Sequence, residues 1–308
     1  MMNKTDKIYI AGHRGLVGSA LYRLLNELGY KNIITRTRSE LDLTNQLAVS
    51  EFFDKEKPDY VFLAAAKVGG INYNKTYPAD FIYDNLMIQN NIIHSSYVNK
   101  VKKLLFLGSS CIYPKENPLP INENRLLCAP LEPTNEAYAL AKITGLKMCE
   151  YYKKQYGCNF ISVMPCNLYG PNDCFDLDKS HVISALLKKF DTAKNNNTEE
   201  IVMWGTGAAK REFLYVDDLA DALLLLMNNY DGDFVNIGTG SEVSMGELYQ
   251  MVSNTVMYSG KLVFDTSKPD GTISKVMDVT KIKSLGWVPK TNIEEGLRLT
   301  YEWYLNNK

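Results

Sequence analysis

The sequence lacks the features that define several classes of protein. It has only six cysteines, with neither the paired spacing of zinc ligands nor the density of a disulfide-stabilised domain, so we expect no metal site. No apolar run is long enough to span a bilayer, and the amino terminus has no apolar signal-peptide core. The formal net charge is only -1, which does not favour binding to nucleic acid. We therefore expect a cytoplasmic protein that binds neither membranes nor nucleic acids.

What is present begins with a glycine-rich turn near the amino terminus. The apolar run Lys7–Ala11 precedes Gly12-His-Arg-Gly15-Leu-Val-Gly18, and a leucine pattern of helical period follows. Glycines permit a tight turn and the close approach of backbone to a pyrophosphate, whose charge the helix amino terminus stabilises. The segment predicts a dinucleotide-binding site, and the alternative is a plain tight turn.

The segment after the second predicted strand bears on the choice of dinucleotide. Where an NAD-specific site carries an acid for the ribose 2′-hydroxyl, this chain has Arg36-Thr-Arg38. Basic residues suit a 2′-phosphate, so we expect NADPH, with Arg38 as its partner and Arg36 as a second candidate. The alternative is that both are solvated loop charges. Residues 41–43 are predicted to lie near the adenine.

The order of apolar segments indicates the fold class. Short strand-like runs alternate with helical patterns to about residue 165, and shorter elements with longer loops follow. We predict an α/β protein with a doubly wound parallel sheet, a Rossmann fold. Residues 1–170 would form the NADP-binding domain. Residues 171–308 would form a smaller, mainly substrate-binding lobe, with about 201–240 partly returning to the first domain.

Two neighbouring segments carry groups suited to proton transfer. Tyr138 and Lys142 are four residues apart on a predicted helix, so they project from one face, and an ammonium group there would lower the pKa of the phenol. The alternative is a solvated helix face. A strand ends at Gly108-Ser109-Ser110-Cys111, where Ser109 could bind a carbonyl oxygen and Cys111 could take up a proton. A buried thiol is the other interpretation of Cys111.

The carboxyl-terminal half contains a second group of candidates. Ser180-His181-Val182 begins a predicted helix, and residues 268–271 read as a turn. Trp204 could belong to a core and Arg211 could be a surface charge. Equally, an arginine near a tryptophan suits a nucleotide diphosphate and its base.

Six motifs occur in a set order along nearly the whole chain. They are Gly12–Gly18, Ala64–Ile71, Gly108–Pro114, Glu132–Tyr138, Ser180–Val182 and Arg211–Phe213. The set resembles the GDP-L-fucose synthases, a group of extended short-chain dehydrogenase/reductases. The resemblance implies NADPH-dependent 3,5-epimerisation and 4-reduction of GDP-4-keto-6-deoxy-D-mannose to GDP-L-fucose.

The resemblance also implies a role for individual residues. Tyr138, assisted by Lys142 and Ser109, would protonate the C4 oxygen, and Cys111 and His181 would be the base and acid of epimerisation. The cofactor would be lined by Gly12, His13, Arg14, Gly15, Leu16, Val17, Gly18, Arg38, Leu107, Gly108, Ser109, Ser110, Lys142, Pro165, Asn167, Leu168 and His181. The substrate would be bound by Lys189, Trp204, Arg211 and Asp270, with Lys188 adjacent to the first of these.

Three alternatives remain open from the sequence. The substrate could be a related GDP-6-deoxy-4-keto-heptose, or the protein could be a strict C4 reductase, although both Cys111 and His181 argue against the latter. It could also be a catalytically silent NADP-binding protein, against which Ser109, Tyr138 and Lys142 argue. The resemblance and two long predicted helices, at about 78–99 and 136–156, suggest a homodimer joined through a four-helix bundle.

Overall fold

The computed structural model describes residues 1–176, 180–268 and 270–308. The predicted turn at 268–271 includes Pro269, which lies outside the described residues. The strands are β1 (Ile8–Ala11), β2 (Ile33–Ile34), β3 (Tyr60–Leu63), β4 (Lys103–Leu107), β5 (Phe160–Pro165), β6 (Asn167–Tyr169), β7 (Glu200–Trp204), β8 (Lys210–Arg211), β9 (Phe213–Tyr215), β10 (Val235–Ile237), β11 (Val243–Ser244) and β12 (Lys261–Asp265). The helices are α1 (Leu16–Glu27), α2 (Gln46–Glu56), α3 (Ile71–Thr76), α4 (Pro78–Val98), α5 (Glu136–Tyr156), α6 (Val182–Asn195), α7 (Val216–Asn229), α8 (Met245–Val256), α9 (Thr280–Ser284) and α10 (Ile293–Asn307).

A parallel sheet of six strands organises the molecule. Its order is β2-β1-β3-β4-β5-β10, so the chain changes direction across the sheet between β1 and β3. Every residue of β1, β3, β4 and β5 is buried, as expected where helices cover both faces. The predicted doubly wound α/β fold is confirmed.

Three further pairs of strands lie outside the main sheet. Strands β6 and β9 are parallel, β7 and β12 are parallel, and β8 and β11 are antiparallel. Strand β6 begins at Asn167, two residues after β5 ends at Pro165, so this pair follows directly from the main sheet. These short pairs correspond to the change of pattern that the sequence shows after about residue 165.

The two long predicted helices are present at nearly their expected bounds. Pro78 is the first residue of α4, where its missing amide hydrogen costs nothing. Helix α5 ends at Gly157, whose φ of +71° suits a glycine C-cap. None of the helices in the described part of the chain combines the length and apolar composition that crossing a membrane requires.

Buried apolar side chains form two clusters. The first covers both faces of the six-stranded sheet and includes side chains of α7 and β10. The second packs α6, α8 and α10 against β7 and β9. Met277, Ile282 and Trp287 also join the first cluster, so the clusters interleave along the chain. The domain boundary at residue 170 stays a prediction.

Candidate active site

The loops that follow the parallel strands meet at one edge of the sheet. They begin at Gly12 after β1, Thr35 after β2, Ala64 after β3, Gly108 after β4 and Cys166 after β5. Because all of these strands run in the same direction, each predicted sheet-side site segment lies at the carboxyl edge. Leu107, Pro165, Asn167 and Leu168 are at this edge too.

The glycine turn is closed to side chains at two positions. Gly12 has a φ of +87°, and a Cβ there would lie 2.7 Å from the Ala65 amide nitrogen. A Cβ at Gly18 would collide with the Gly12 carbonyl oxygen. The Gly15 amide donates to that oxygen at 3.0 Å, which turns the chain into α1. Bare backbone and a helix amino terminus therefore face the sheet edge, as a pyrophosphate site needs.

His13 adds an unpartnered polar atom to this turn. Its Nδ1 is buried and has no hydrogen-bond partner among the described residues. Burial, followed by the nearby Arg14 guanidinium, lowers the pKa of His13. A neutral imidazole with an unused nitrogen fits a polar ligand lying against the turn.

The two arginines after β2 differ in their partners. Arg36 makes an ion pair with Glu56 at 2.7 Å and lies over the ring of Phe52. Arg38 is exposed, and its side chain makes no hydrogen bond or ion pair with the part of the chain described. Arg38 is thus the better candidate for an anionic ligand, and Arg36 supports the loop.

The predicted catalytic side chains of the sheet domain come together at the end of β4. The Ser109 hydroxyl accepts a hydrogen bond from the Cys111 amide at 3.2 Å and also bonds Tyr138. The Lys142 ammonium donates to the Leu107 carbonyl at 2.7 Å and lies 5.8 Å from the centroid of the Tyr138 ring. The structure therefore joins Ser109, Cys111, Tyr138 and Lys142 in one cluster.

The acidity of Tyr138 differs from the sequence-based expectation. Burial raises the pKa of the phenol, the neighbouring Cys111 raises it further, and the bond from Ser109 offsets only part of the effect. Burial also lowers the pKa of Lys142 to about 7. The predicted lowering of the Tyr138 pKa is therefore wrong, because desolvation of the buried phenol is the largest effect and raises the pKa. The phenol stays protonated at neutral pH, ready to donate.

Asn135 is a site neighbour that the sequence did not reveal. Its side-chain amide donates to the Cys111 sulfur at 3.3 Å. As the residue before α5 it would be expected to cap that helix, yet its side chain makes no capping bond. The side chain of Asn135 therefore belongs to the cluster around Cys111 and not to the helix cap.

His181 lies at the start of α6 with a carboxylate beside it. Its Nδ1 is 3.5 Å from Asp173 Oδ1, and this contact raises the pKa of His181, although partial desolvation of the ring opposes the effect. A Cβ at Gly70 would lie 3.0 Å from the Ser180 carbonyl oxygen, so the loop after β3 approaches this residue. Within the described residues the His181 ring makes no hydrogen bond to Cys111 or Tyr138.

The four predicted substrate residues lie on connected elements. Lys189 on α6 donates to the Val202 carbonyl at 2.7 Å, and the same strand carries Trp204. Asp270 accepts bonds from the Thr206 amide and hydroxyl, both at 2.7 Å. Arg211 donates to the Thr272 carbonyl at 2.6 Å. Trp204 is 68% exposed, which rules out the core interpretation.

Comparison with known proteins agrees with this geometry. Residues 8–238 match the model of the NAD dependent epimerase/dehydratase family. The chain is 58% identical over 308 residues to GDP-L-fucose synthase 1 of Arabidopsis thaliana, covering 100% of this chain and 95% of that protein.

Two solved structures are similar over nearly their whole length. A GDP-L-fucose synthetase from Naegleria fowleri bound to NADP has a TM-score of 0.94 at 32% identity, covering 100% of this chain and 95% of that one. MlghC, a GDP-mannoheptose C4 reductase from Campylobacter jejuni with NADP bound, has a TM-score of 0.91 at 44% identity, covering 99% and 100%. The predicted resemblance is confirmed, and the chain belongs to the NAD dependent epimerase/dehydratase family.

Proposed function

We propose that the protein is an NADPH-dependent GDP-L-fucose synthase that inverts C3 and C5 of GDP-4-keto-6-deoxy-D-mannose and reduces C4. The observation that carries the proposal is the cluster at the end of β4. A thiol suited to proton abstraction lies in the same cluster as a protonated phenol and its serine partner. The relative with 58% identity bears the name of this activity.

The residues at the sheet edge fit a dinucleotide phosphate. NADPH supplies a hydride when it is bound. The backbone of Gly12–Gly18 and the start of α1 suit its pyrophosphate, and Arg38 suits the 2′-phosphate. The unpartnered Nδ1 of His13 provides one further polar contact. Two solved relatives of similar fold are described as bound to NADP, which supports the choice of cofactor.

Tyr138 supplies the proton for reduction. The sugar C4 oxygen would lie within reach of the phenol and of the Ser109 hydroxyl, which together bind a carbonyl oxygen. As negative charge develops on that oxygen, the phenol hydrogen moves to it. Lys142 lies beside the Tyr138 ring and, when charged, stabilises the phenolate left behind.

Cys111 and His181 perform the inversions. The C4 ketone acidifies the hydrogens on C3 and C5, so the Cys111 thiolate can remove one while His181 returns a proton to the opposite face. Asn135 donates a hydrogen bond to the sulfur and fixes its position. The hydrogens on C3 and C5 are acidic only while C4 is a ketone, so both inversions must precede the reduction.

The second lobe binds the GDP portion. The exposed indole of Trp204 offers a face for the base, and Lys189 and Arg211 offer positive charge to the diphosphate. Asp270 retains lone pairs that can accept hydrogen bonds from guanine. These assignments follow the resemblance.

We expect Arg38→Ala to raise the KM for NADPH about 10- to 100-fold and to leave the KM for NADH nearly unchanged. This change corresponds to the loss of about 1.5–3 kcal/mol of binding free energy, the contribution of one charge-assisted hydrogen bond. Initial-rate measurements with both cofactors provide the check, and Lys31→Ala, an exposed cation before β2, is the matched control. Equal changes for the two cofactors would show that Arg38 does not contact the 2′-phosphate.

A GDP-6-deoxy-4-keto-heptose is the second candidate substrate. It is favoured by the 44% identity to the Campylobacter jejuni heptose reductase. The deciding experiment supplies NADPH with the hexose or the heptose substrate and identifies each product by NMR. We expect rapid conversion of the hexose to GDP-L-fucose. Conversion of the heptose alone would replace the main proposal with the second one.

We also propose a homodimer through α4 and α5. Both helices expose large apolar side chains, including Tyr83 at 63% and Val98 at 54% on α4 and Tyr151 at 62% on α5. Two such pairs of helices would cover these surfaces in a four-helix bundle. Light scattering coupled to gel filtration would give the mass, and a monomer at micromolar concentration would contradict the proposal.

A further inference from the structure

A buried carboxylate lies directly behind His181. The Asp173 side chain is 4% exposed, whereas the His181 side chain is 44% exposed. Their closest atoms are Asp173 Oδ1 and His181 Nδ1, at 3.5 Å. The contact engages Nδ1 and leaves Nε2 as the nitrogen available to a substrate.

The carboxylate is held in place by other groups. The Ser184 hydroxyl, which is fully buried, donates to Asp173 Oδ2, and the Cys174 amide donates to Oδ1 at 2.8 Å. Arg23 of α1 donates a hydrogen bond to the side chain of Asn172 at 3.2 Å, which links the turn before Asp173 to α1. Arg23 also forms an ion pair with Asp217 at 2.5 Å. Asp173 therefore has a defined orientation before any ligand binds.

These contacts offset the free-energy cost of burying the Asp173 carboxylate. An ionised carboxylate in a protein interior needs hydrogen-bond donors and an opposite charge. Ser184 and the Cys174 amide supply the donors, and a protonated His181 supplies the charge. The arrangement stabilises the imidazolium form and holds a proton on Nδ1.

We propose that Asp173 is a positioning residue for epimerisation, holding His181 with Nδ1 protonated so that Nε2 delivers the proton to the substrate carbon. The Nε2–H bond breaks as the carbon–hydrogen bond forms, and the electron pair of the enolate carbon makes the new bond. The ring is left neutral and keeps its Nδ1 hydrogen, which faces the Asp173 carboxylate. This inference rests on the proposed role of His181.

Asp173→Asn tests the inference because it keeps the size of the side chain and removes its charge. At neutral pH in deuterated water we expect deuterium incorporation at C3 and C5 to fall about 10- to 100-fold. Reduction of a 4-keto sugar in which C3 and C5 are already inverted should change less than twofold. The alkaline decline of incorporation should begin at lower pH, because the proton on His181 is lost sooner without the carboxylate.

A direct readout uses the histidine rings of the full protein. The chain has only three histidines, and His181→Asn assigns the signal of His181 in an NMR titration. We expect the midpoint of that signal to fall by about one pH unit in Asp173→Asn. Asp173→Glu should restore part of the shift, whereas Ser184→Ala, which removes one donor to Asp173, should give a smaller change.

The outcomes separate this inference from the proposed function. A parent enzyme that incorporates no solvent deuterium would overturn the epimerase proposal, and this inference with it. A labelled parent with an Asp173→Asn variant that keeps its labelling and its His181 midpoint would overturn the inference alone. Equal losses of epimerisation and reduction with an unchanged midpoint would show that Asp173 serves only to anchor α6.

Discussion

Replacing Tyr138 by phenylalanine is expected to lower the rate of C4 reduction about 10²–10⁴-fold, the range typical for loss of a positioned general acid. The substitution removes one oxygen and keeps the ring, which packs edge-on against Phe81 at 6.3 Å. Nucleotide binding and deuterium incorporation at C3 and C5 should therefore persist. NADPH consumption and NMR of the sugar measure the two reactions separately.

Tyr22→Phe is the matched control, since this tyrosine is 42% exposed on the helix after the glycine turn. A Tyr138→Phe variant that reduced the ketone at the parental rate would assign the proton to another group. The pH profile adds a second check. Because burial raises the pKa of Tyr138, the phenol stays protonated well above neutral pH, so a decline of reduction just above pH 7 cannot reflect its ionisation.

Cys111→Ser should remove solvent deuterium from both C3 and C5, again by about 10²–10⁴-fold. Serine has nearly the same shape as cysteine, but its hydroxyl is a far weaker acid than a thiol, so no comparable base forms. Tyr138 and Ser109 remain, and the variant should stall or slowly reduce the ketone that has not been inverted. The product would then be a GDP-6-deoxyhexose of a different configuration.

Cys128→Ser provides the control because that thiol is exposed and bonds only the backbone of its own turn in the described residues. His181→Asn should slow reprotonation while leaving Tyr138 competent. If the parental product carried no deuterium at either carbon, the enzyme would be a strict C4 reductase and the epimerase role of Cys111 would be wrong.

Much of the fold followed from local patterns in the sequence. Buried strands such as Tyr60–Leu63 are continuous apolar runs, and Pro78 and Gly157 mark a helix start and a helix end. Because parallel strands place their following loops at one edge, the clustering of Ser109, Cys111 and Tyr138 was also predictable. These predictions depend only on residues close together in the sequence and on the right-handed connection between parallel strands.

Properties set by distant residues did not follow from the sequence. Arg36 was a second candidate for the 2′-phosphate, and the sequence does not show that it pairs with Glu56 at the end of α2. The pKa of Tyr138 depends on how completely the surrounding chain excludes water, which its spacing from Lys142 does not reveal. Motif spacing identifies which groups meet, but their protonation depends on everything packed around them.

Asn135 and Asp173 were missed for a related reason. An asparagine before a helix reads as a cap, and an aspartate after Asn172 reads as part of a turn. Only the coordinates reveal that the Asn135 amide bonds a sulfur and that the Asp173 carboxylate is buried against a histidine. Residues that act on another catalytic group carry no spacing signal of their own.

The position of β10 determines when folding of the sheet can finish. This edge strand pairs with β5, although residues 166–234 separate the two in the chain. During synthesis β5 remains an open edge until that long segment has left the ribosome, and an unpaired edge can pair with another nascent chain. Parallel pairing across such a separation is also slow. A fragment ending at residue 170 would keep this edge open and lack the α7 side chains that cover the sheet, so it should aggregate instead of folding alone.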